Sequence, residues 1–481
     1  MNEPDSRRPP AGHATAVRRR PGGARGLKLA ERLARSIEDE IVRQGWPVGR
    51  NLGSEAVLIE RFGVSRAIFR EAVGILEYKQ VAAMRRGRGG GLVVRAPAAA
   101  VVAESVAAYF YFANVSVDEL YETRTILQVL AGKLAARRIT EADVIRLREM
   151  ADQPGAFDER FEVTLGRLSG NPALAIFLPT LMRVTGMLVG APSGLELAPE
   201  VSSARRRGWR AIIDAVISGD EATTERRMTR HLAADRTWIT DFLCRHGNPA
   251  SAAGTGGTGK RAEQIALVLS REIAERGHPP ETLLGSEPEL VARLGIGRSV
   301  FRQAVRILEH NGIARMRRGA AGGLVATVPD PAHVVDALAL YLQYLEVDVA
   351  AISETRTAIE LDTVALAARQ VSERDTTGLE DALRAERAGG DPALDTHGAV
   401  HVALAELAGN SLLTMFIAVL SRVSKYRSDV AGHEDPARLA AASADAHEAI
   451  AEAVLAGDAS LARHRMSRHL RALEPHLRTE G

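Results

Sequence analysis

Cysteine is almost missing from this chain: Cys244 is the single one in 481 residues. That count excludes an intrachain disulfide and a cysteine-built zinc site. Aromatic residues are scarce too, at 4%, while Ala, Leu, Arg and Glu abound, a balance that favours helices over sheets. There is no run of 18 apolar residues and no signal-peptide core, so the sequence predicts no membrane span and a cytoplasmic protein. Gly-rich phosphate loops and nucleophile elbows are absent as well. The histidine pair in HGAVH (397–401) lacks the Glu that HExxH places beside its first His, which argues against a metal-dependent hydrolase.

What is present is unevenly spread. The formal net charge is only +2, yet residues 1–26 carry +4, residues 27–97 carry +5 and residues 260–330 carry +3, leaving −10 for the remainder. Basic segments alternating with acidic ones are the pattern of nucleic-acid-binding heads on acidic bodies. The first 26 residues, rich in Arg, Pro and Gly, read as a disordered arm, either a solvated tail or one that touches DNA phosphates.

The chain also repeats itself. LGSEAVLIERFGVSR (52–66) matches LGSEPELVARLGIGR (284–298), and GVSRAIFREAVGILE (63–77) matches GIGRSVFRQAVRILE (295–309), both at an offset of 232. AAMRRGRGGGLVV (82–94) matches ARMRRGAAGGLVA (314–326), and YETRTI (121–126) matches SETRTA (353–358). Further on, LSGNPAL (168–174) matches LAGNSLL (407–413), and ISGDEATTERRMTRHL (217–232) matches LAGDASLARHRMSRHL (455–470), at offsets of 239 and 238. Co-linear matches of this extent describe two copies of one two-domain unit, with a loop-sized difference in length between about residues 132 and 161. The Gly/Ala/Ser/Thr stretch 246–259 reads as a flexible linker. The domains expected are therefore a basic arm (1–26), a head (27–97), a body (98–245), the linker, a second head (260–330) and a second body (331–478).

Each head has a local logic. Phe69, Ala72, Val73 and Leu76 make one apolar helical stripe, repeated as Phe301, Ala304, Val305 and Leu308. Ser54 and Ser286 stand where an N-cap would open a short preceding helix that ends at Gly63 or Gly295. A short helix, a Gly turn, a second helix with Arg66 and Arg70 (or Arg298 and Arg302) near its start, and an apolar hairpin around RRGRGGG or RRGAAGG make a winged helix-turn-helix. The hairpin glycines are expected to allow close approach to DNA.

These residues resemble the winged helix-turn-helix of GntR-family transcription regulators. The resemblance implies that Arg66, Arg70, Arg298 and Arg302 probe the major groove, and that the wing arginines Arg85, Arg86, Arg88, Arg317 and Arg318 lie at or near the minor groove. The chain departs from the family where Ala56 and Pro288 replace an Arg, where Gly53 and Gly285 replace a Pro, and where Gly297 replaces a Ser.

The bodies (98–245 and 331–478) read as all-α bundles, giving a mainly α protein with two small β-hairpin wings. Their ETRT, AGN, AGD and MxxHL segments are similar to the effector domain (FCD type) of the FadR branch of the family. Members of the metal-binding type hold a divalent ion with an Asp and three His, which implies a site at His397, His401, His447 and His469, with His397 in place of the Asp. Imidazoles suit zinc or nickel; ordinary surface or core histidines are the alternative. The first copy aligns Asp158, Glu162, Trp209 and His231 with that quartet, and Trp cannot ligate, so this bundle is expected to be degenerate and metal-free. Arg124 and Arg356, in the duplicated ETRT, either clamp an effector's carboxylate or form a packing salt bridge with Glu122 or another neighbour. The function these features predict is a sequence-specific DNA-binding repressor. It acts as a single-chain pseudo-dimer on double-stranded operator DNA and responds to a small carboxylate effector, a metal, or both. A non-specific architectural DNA binder is the alternative, and pairing of two chains into a homodimer is left open.

Overall fold

The computed structural model describes residues 29–87, 89–113, 115–152, 159–189, 199–246, 261–275, 281–310, 312–317, 319, 322–327, 331–389, 396–431 and 436–477. The expected arm lies outside these, as does the expected linker apart from His246, which ends a helix. The chain forms two compact units, one ending at Arg95 and the other beginning at Ala96.

The first unit holds α1 (Leu29–Arg43), α2 (Glu55–Phe62), α3 (Arg66–Tyr78), β1 (Ala82–Arg85) and β2 (Gly91–Val94). Ser54 caps α2 by accepting from the Val57 amide, and Gly63 ends it in the left-handed conformation at φ 62°. Ser65 caps α3 in the same way through Ile68. The expected stripe is the core: Phe69, Ala72, Val73 and Leu76 are buried, against Leu33, Ile37, Ile41 and Leu58. The strands pair antiparallel from Ala82 opposite Val94 to Arg85 opposite Gly91. Gly91 has a role within the head itself: a Cβ there would stand 2.4 Å from the Gly53 carbonyl oxygen, so its bareness lets the hairpin close onto its own chain. Gly53 has φ +139°, which a proline ring cannot adopt. The residue that departs from the family pattern is thus the one this backbone requires.

The second unit contains the other copy of that element order and both bundles. The first bundle comprises α4 (Ala99–Phe112), α5 (Val117–Arg138), α6 (Glu141–Asp152), α7 (Glu159–Leu168), α8 (Pro172–Val189), α9 (Pro199–Ile217) and α10 (Glu221–His246). Next come α11 (Arg261–Glu275), β3 (Leu283–Gly285), α12 (Glu287–Leu294), α13 (Arg298–His310), β4 (Ala314–Arg317) and β5 (Gly323–Ala326), with strand order β3-β5-β4. This repeats the first unit's order with one added edge strand, and Phe301, Ala304 and Leu308 are again buried. The second bundle comprises α14 (Pro331–Tyr344), α15 (Val349–Gln370), α16 (Thr377–Arg387), α17 (Thr396–Leu407), α18 (Ser411–Ala431), α19 (Pro436–Leu455) and α20 (Ala459–Leu477). The length difference between copies falls largely in one connection, residues 139–140 against 371–376, within the expected window.

The two bundles share one apolar core. Val106 and Phe110 of α4, Leu127 of α5, Phe177 of α8, Leu338 and Leu342 of α14 and Phe416 of α18 belong to a single buried cluster. Contacts across it come in reciprocal pairs. Asn171 Nδ2 donates to the Ala351 carbonyl at 2.9 Å and to Thr355 Oγ1 at 3.1 Å. Its counterpart Asn410 Nδ2 donates to the Glu119 carbonyl at 2.9 Å and to Glu122 Oε2 at 3.0 Å, while Thr123 Oγ1 donates to Asn410 Oδ1 at 3.3 Å. Phe177 and Phe416, equivalent residues of the two copies, stack on each other with centroids 4.3 Å apart. Residue i touching j while the equivalent of j touches the equivalent of i is the signature of a two-fold interface.

Candidate functional site

In the second bundle three helices converge on one point. His401 of α17, His447 of α19 and His469 of α20 are all buried. Their Nε2 atoms are separated by 3.2 Å (His401–His447), 3.1 Å (His447–His469) and 3.4 Å (His401–His469). The outer nitrogens of two rings meet carboxylates: His401 Nδ1 contacts Glu360 Oε2, and His447 Nδ1 lies 2.8 Å from Glu386 Oε2. A carboxylate at Nδ1 keeps the proton there and turns the Nε2 lone pair inward. The Nε2 lone pairs of His401 and His447 then face each other, with His469 Nε2 beside them, an arrangement that a cation relieves. An ion about 2.0–2.1 Å from each nitrogen spaces them roughly 3.0–3.4 Å apart, so the donor set fits a divalent metal. His397 lies one turn earlier in α17; its side chain is outside the described residues.

Glu360 connects this cluster to Arg356. Arg356 Nε donates to Glu360 Oε1 at 2.5 Å and Nη1 donates to Ser424 Oγ at 3.3 Å, while Nη2 is buried with no partner among the described residues. Sequence reasoning had named Arg356 and the histidines but not Glu360 or Glu386, whose roles depend on which helices pack together.

The first bundle keeps the scaffold with different chemistry. Glu162, Trp209 and His231 occupy the places of His401, His447 and His469; Asp158 lies outside the described residues. Trp209 is buried between Phe161, centroids 4.4 Å apart, and His231, at 4.2 Å. Burial holds the His231 imidazole down at about pKa 4 and therefore neutral. A Cβ on Gly208 would stand 2.5 Å from His231 Nδ1, so glycine is what admits the ring. Arg124, the counterpart of Arg356, donates from Nη2 to Glu162 Oε1 at 2.9 Å, and Gln128 Nε2 donates to Glu162 Oε2 at 2.7 Å. Burial opposes the Arg124 charge, but Tyr121, Glu162 and Asp235 more than offset it and raise the pKa. Burial likewise pushes the Tyr121 phenol to about 12. Both ETRT arginines therefore form ion pairs inside their own bundles. Neither pairs with Glu122, which accepts from Asn410 instead.

In the first unit, Arg66 and Arg70 are exposed and share a single acceptor, Glu55 Oε1, at 2.9 and 3.0 Å. In the second unit Arg302 Nε donates to Glu287 Oε1 at 3.0 Å, and Arg298 is exposed. Of the hairpin arginines, Arg85 and Arg86 are exposed and Arg317 is half-buried; Arg88 and Arg318 lie outside the described residues. No helix among the described residues is long and apolar enough to cross a membrane.

Comparison with known proteins matches family models to the first unit and to both bundles. The FCD domain model matches residues 119–234 and again 351–472, and the model for bacterial regulatory proteins of the gntR family matches residues 29–92. That combination defines a class of transcription regulators rather than enzymes. The chain belongs to the GntR family, with the FCD domain present twice. Among curated relatives it is similar to the Exu regulon transcriptional regulator of Escherichia coli K12, 26% identical over 156 residues, which are 31% of this chain and 59% of that protein. It is also similar to the regulator LutR of Bacillus subtilis, 26% identical over 196 residues, 38% of this chain and 89% of that one. The chain thus spans somewhat over half the length of the Exu regulator. Among solved structures, Streptococcus agalactiae GntR is 21% identical, covering 44% of this chain and 99% of its own, at a TM-score of 0.31, too low to add weight.

Proposed function

We propose that the chain is a DNA-binding transcription repressor in which one polypeptide does the work of a dimer. The observation that carries this is the reciprocal contact set between the bundles, Asn171 with α15 and Asn410 with α5 around the Phe177–Phe416 stack. Two separate chains of one kind would make such contacts in a two-fold dimer. Here both partners lie on one chain, so the effective concentration of the second head is set by the covalent connection rather than by protein concentration. In this reading residues 27–97 and 260–330 are two winged helix-turn-helix heads. Arg66 and Arg70 read one half of an imperfectly two-fold operator, Arg298 and Arg302 read the other, and the hairpin arginines track the adjacent backbone.

The second bundle is the sensor. His401, His447 and His469 would hold zinc or nickel, with His397 as the candidate fourth ligand. The bound ion would supply a positive centre and open positions for an anionic effector. Arg356, with Nη2 buried and without a partner among the described residues, would take the effector's carboxylate. Arg124 already has a carboxylate in Glu162, so the first bundle serves as a fixed partner. Coupling runs through α15, whose Arg356 and Glu360 face the sensor while the adjacent Thr355 meets Asn171 of the other bundle. A ligand that shifts α15 changes the bundle interface and biases the placement of the heads, provided it prefers one arrangement over the other.

The test is mass and stoichiometry. Light scattering should give one chain in solution and one chain on an operator duplex selected from a random pool. Two chains on one operator would refute the pseudo-dimer.

A further inference from the structure

The two arginines at the start of α3 are held by an acid. Glu55, the first residue of α2, presents a single oxygen, Oε1, to the Nε–H of Arg66 at 2.9 Å and of Arg70 at 3.0 Å. The arginine side chains are 68% and 63% exposed and the glutamate 27%. Hydrogen bonding from Arg66, with that from Arg70, keeps the Glu55 carboxyl below the usual carboxylate range, so it stays ionised at neutral pH. Each guanidinium commits its Nε edge inward and keeps its terminal NH2 groups for an outside partner. The second copy is built less tightly: among the described residues Glu287 Oε1 accepts from Arg302 and not from Arg298.

A carboxylate is costly on a surface that must meet phosphates, since it cancels part of the positive charge on which sequence-independent binding depends. Base reading has a different requirement, a guanidinium fixed in orientation toward guanine O6 and N7. One acid bridging two arginines therefore weakens the undirected attraction and strengthens the directed one. We propose that Glu55 is a specificity-determining positioning residue. It fixes Arg66 and Arg70 for base reading while lowering the head's affinity for DNA of arbitrary sequence. The second head, with one arginine held, discriminates less. This inference rests on the DNA-binding reading above.

The experiment uses the full chain and two duplexes, one selected from a random pool by the wild type and one a scramble of it. Dissociation constants are measured across a salt series for wild type, Glu55→Gln, Glu55→Asp and Glu287→Gln, with far-UV circular dichroism melts confirming that each variant folds. Glu55→Gln should bind the scramble several-fold tighter, with a plot of log K against log salt steeper by up to about 0.9, the equivalent of one more phosphate contact. It should bind the selected duplex no tighter, so the specificity ratio falls by at least that several-fold, the lower end of the range of one base contact. Glu55→Asp, which keeps the charge, should recover part of the ratio, and Glu287→Gln should lower it less. A ratio unchanged in Glu55→Gln overturns the proposal, as does an equal gain on both duplexes, which would make the acid a charge without a positioning role. If the wild type enriches no sequence, the DNA-reading assignment itself fails, and that result is distinct from both.

Discussion

The reciprocal asparagines make the two-fold relation between the bundles quantitative. Asn410 does two jobs at once. Its Oδ1 accepts from the Leu412 and Leu413 amides, both at 3.1 Å, capping α18, while its Nδ2 reaches the Glu119 carbonyl and Glu122 across the interface. Asn171 does the same for α8, accepting from Ala173 and Leu174 at 3.0 and 3.3 Å and donating to Ala351 and Thr355. Replacing a capping Asn by Ala costs about 1 kcal/mol, and each lost interface hydrogen bond costs about 1 kcal/mol more. Asn171→Ala and Asn410→Ala should therefore each destabilise the paired bundles by about 3 kcal/mol, and by similar amounts. Urea unfolding in a Trp46→Phe background reads this directly, since the two remaining tryptophans, Trp209 and Trp238, both lie in the first bundle. Asn410 is the informative position: it sits in the second bundle, yet its loss should lower the midpoint seen by the first. A cost below about 0.5 kcal/mol at either position, the scale of an ordinary surface substitution, would refute the reciprocal arrangement.

Three other outcomes follow from the bundle cores. Zinc should bind once per chain and, at a hundredfold excess over its Kd, stabilise the second bundle by about 2.7 kcal/mol, an effect that His447→Ala should abolish in a thermal-shift titration. Glu162→Ala should cost about 3–5 kcal/mol in chemical denaturation because it strands the buried Arg124 guanidinium, whereas Glu386→Ala should change metal affinity more than stability. His231 has its folded pKa, about 4, below its ordinary 6.5. The unfolded chain therefore takes up the proton first as pH falls from 6.5 to 4. Stability contributed by neutral His231 is complete above that window and is lost within it, by up to about 3 kcal/mol. Comparing wild type with His231→Gln across pH 7.5 to 4 should show the two curves converging only in that range.

Much of this was legible in the sequence because it repeats. The stripe Phe69, Ala72, Val73, Leu76, the caps at Ser54 and Gly63, and the hairpins follow from local periodicity and turn chemistry, which one segment carries by itself. The resemblance to the metal-binding type of effector domain named His401, His447 and His469, three rings that do converge. What the sequence hid depends on which helices become neighbours. Glu360 and Glu386 behind the histidines, Glu162 as the acceptor for Arg124, and Glu55 beneath Arg66 and Arg70 are acids among many until packing selects them. Gly91, one of the hairpin glycines, is needed where the hairpin meets the chain's own backbone at Gly53, a contact that no local pattern announces. The second copy of the head elements and both bundles form one compact unit, a grouping that depends on packing between the copies.

The central claim is that one chain supplies both halves of a DNA-reading dimer, and a footprint tests it most directly. On the selected operator, Arg66→Ala/Arg70→Ala and Arg298→Ala/Arg302→Ala should each erase protection over a different half of the same site, leaving the other half in place. If either double variant leaves the whole footprint intact, that head does not read DNA and the single-chain dimer is wrong.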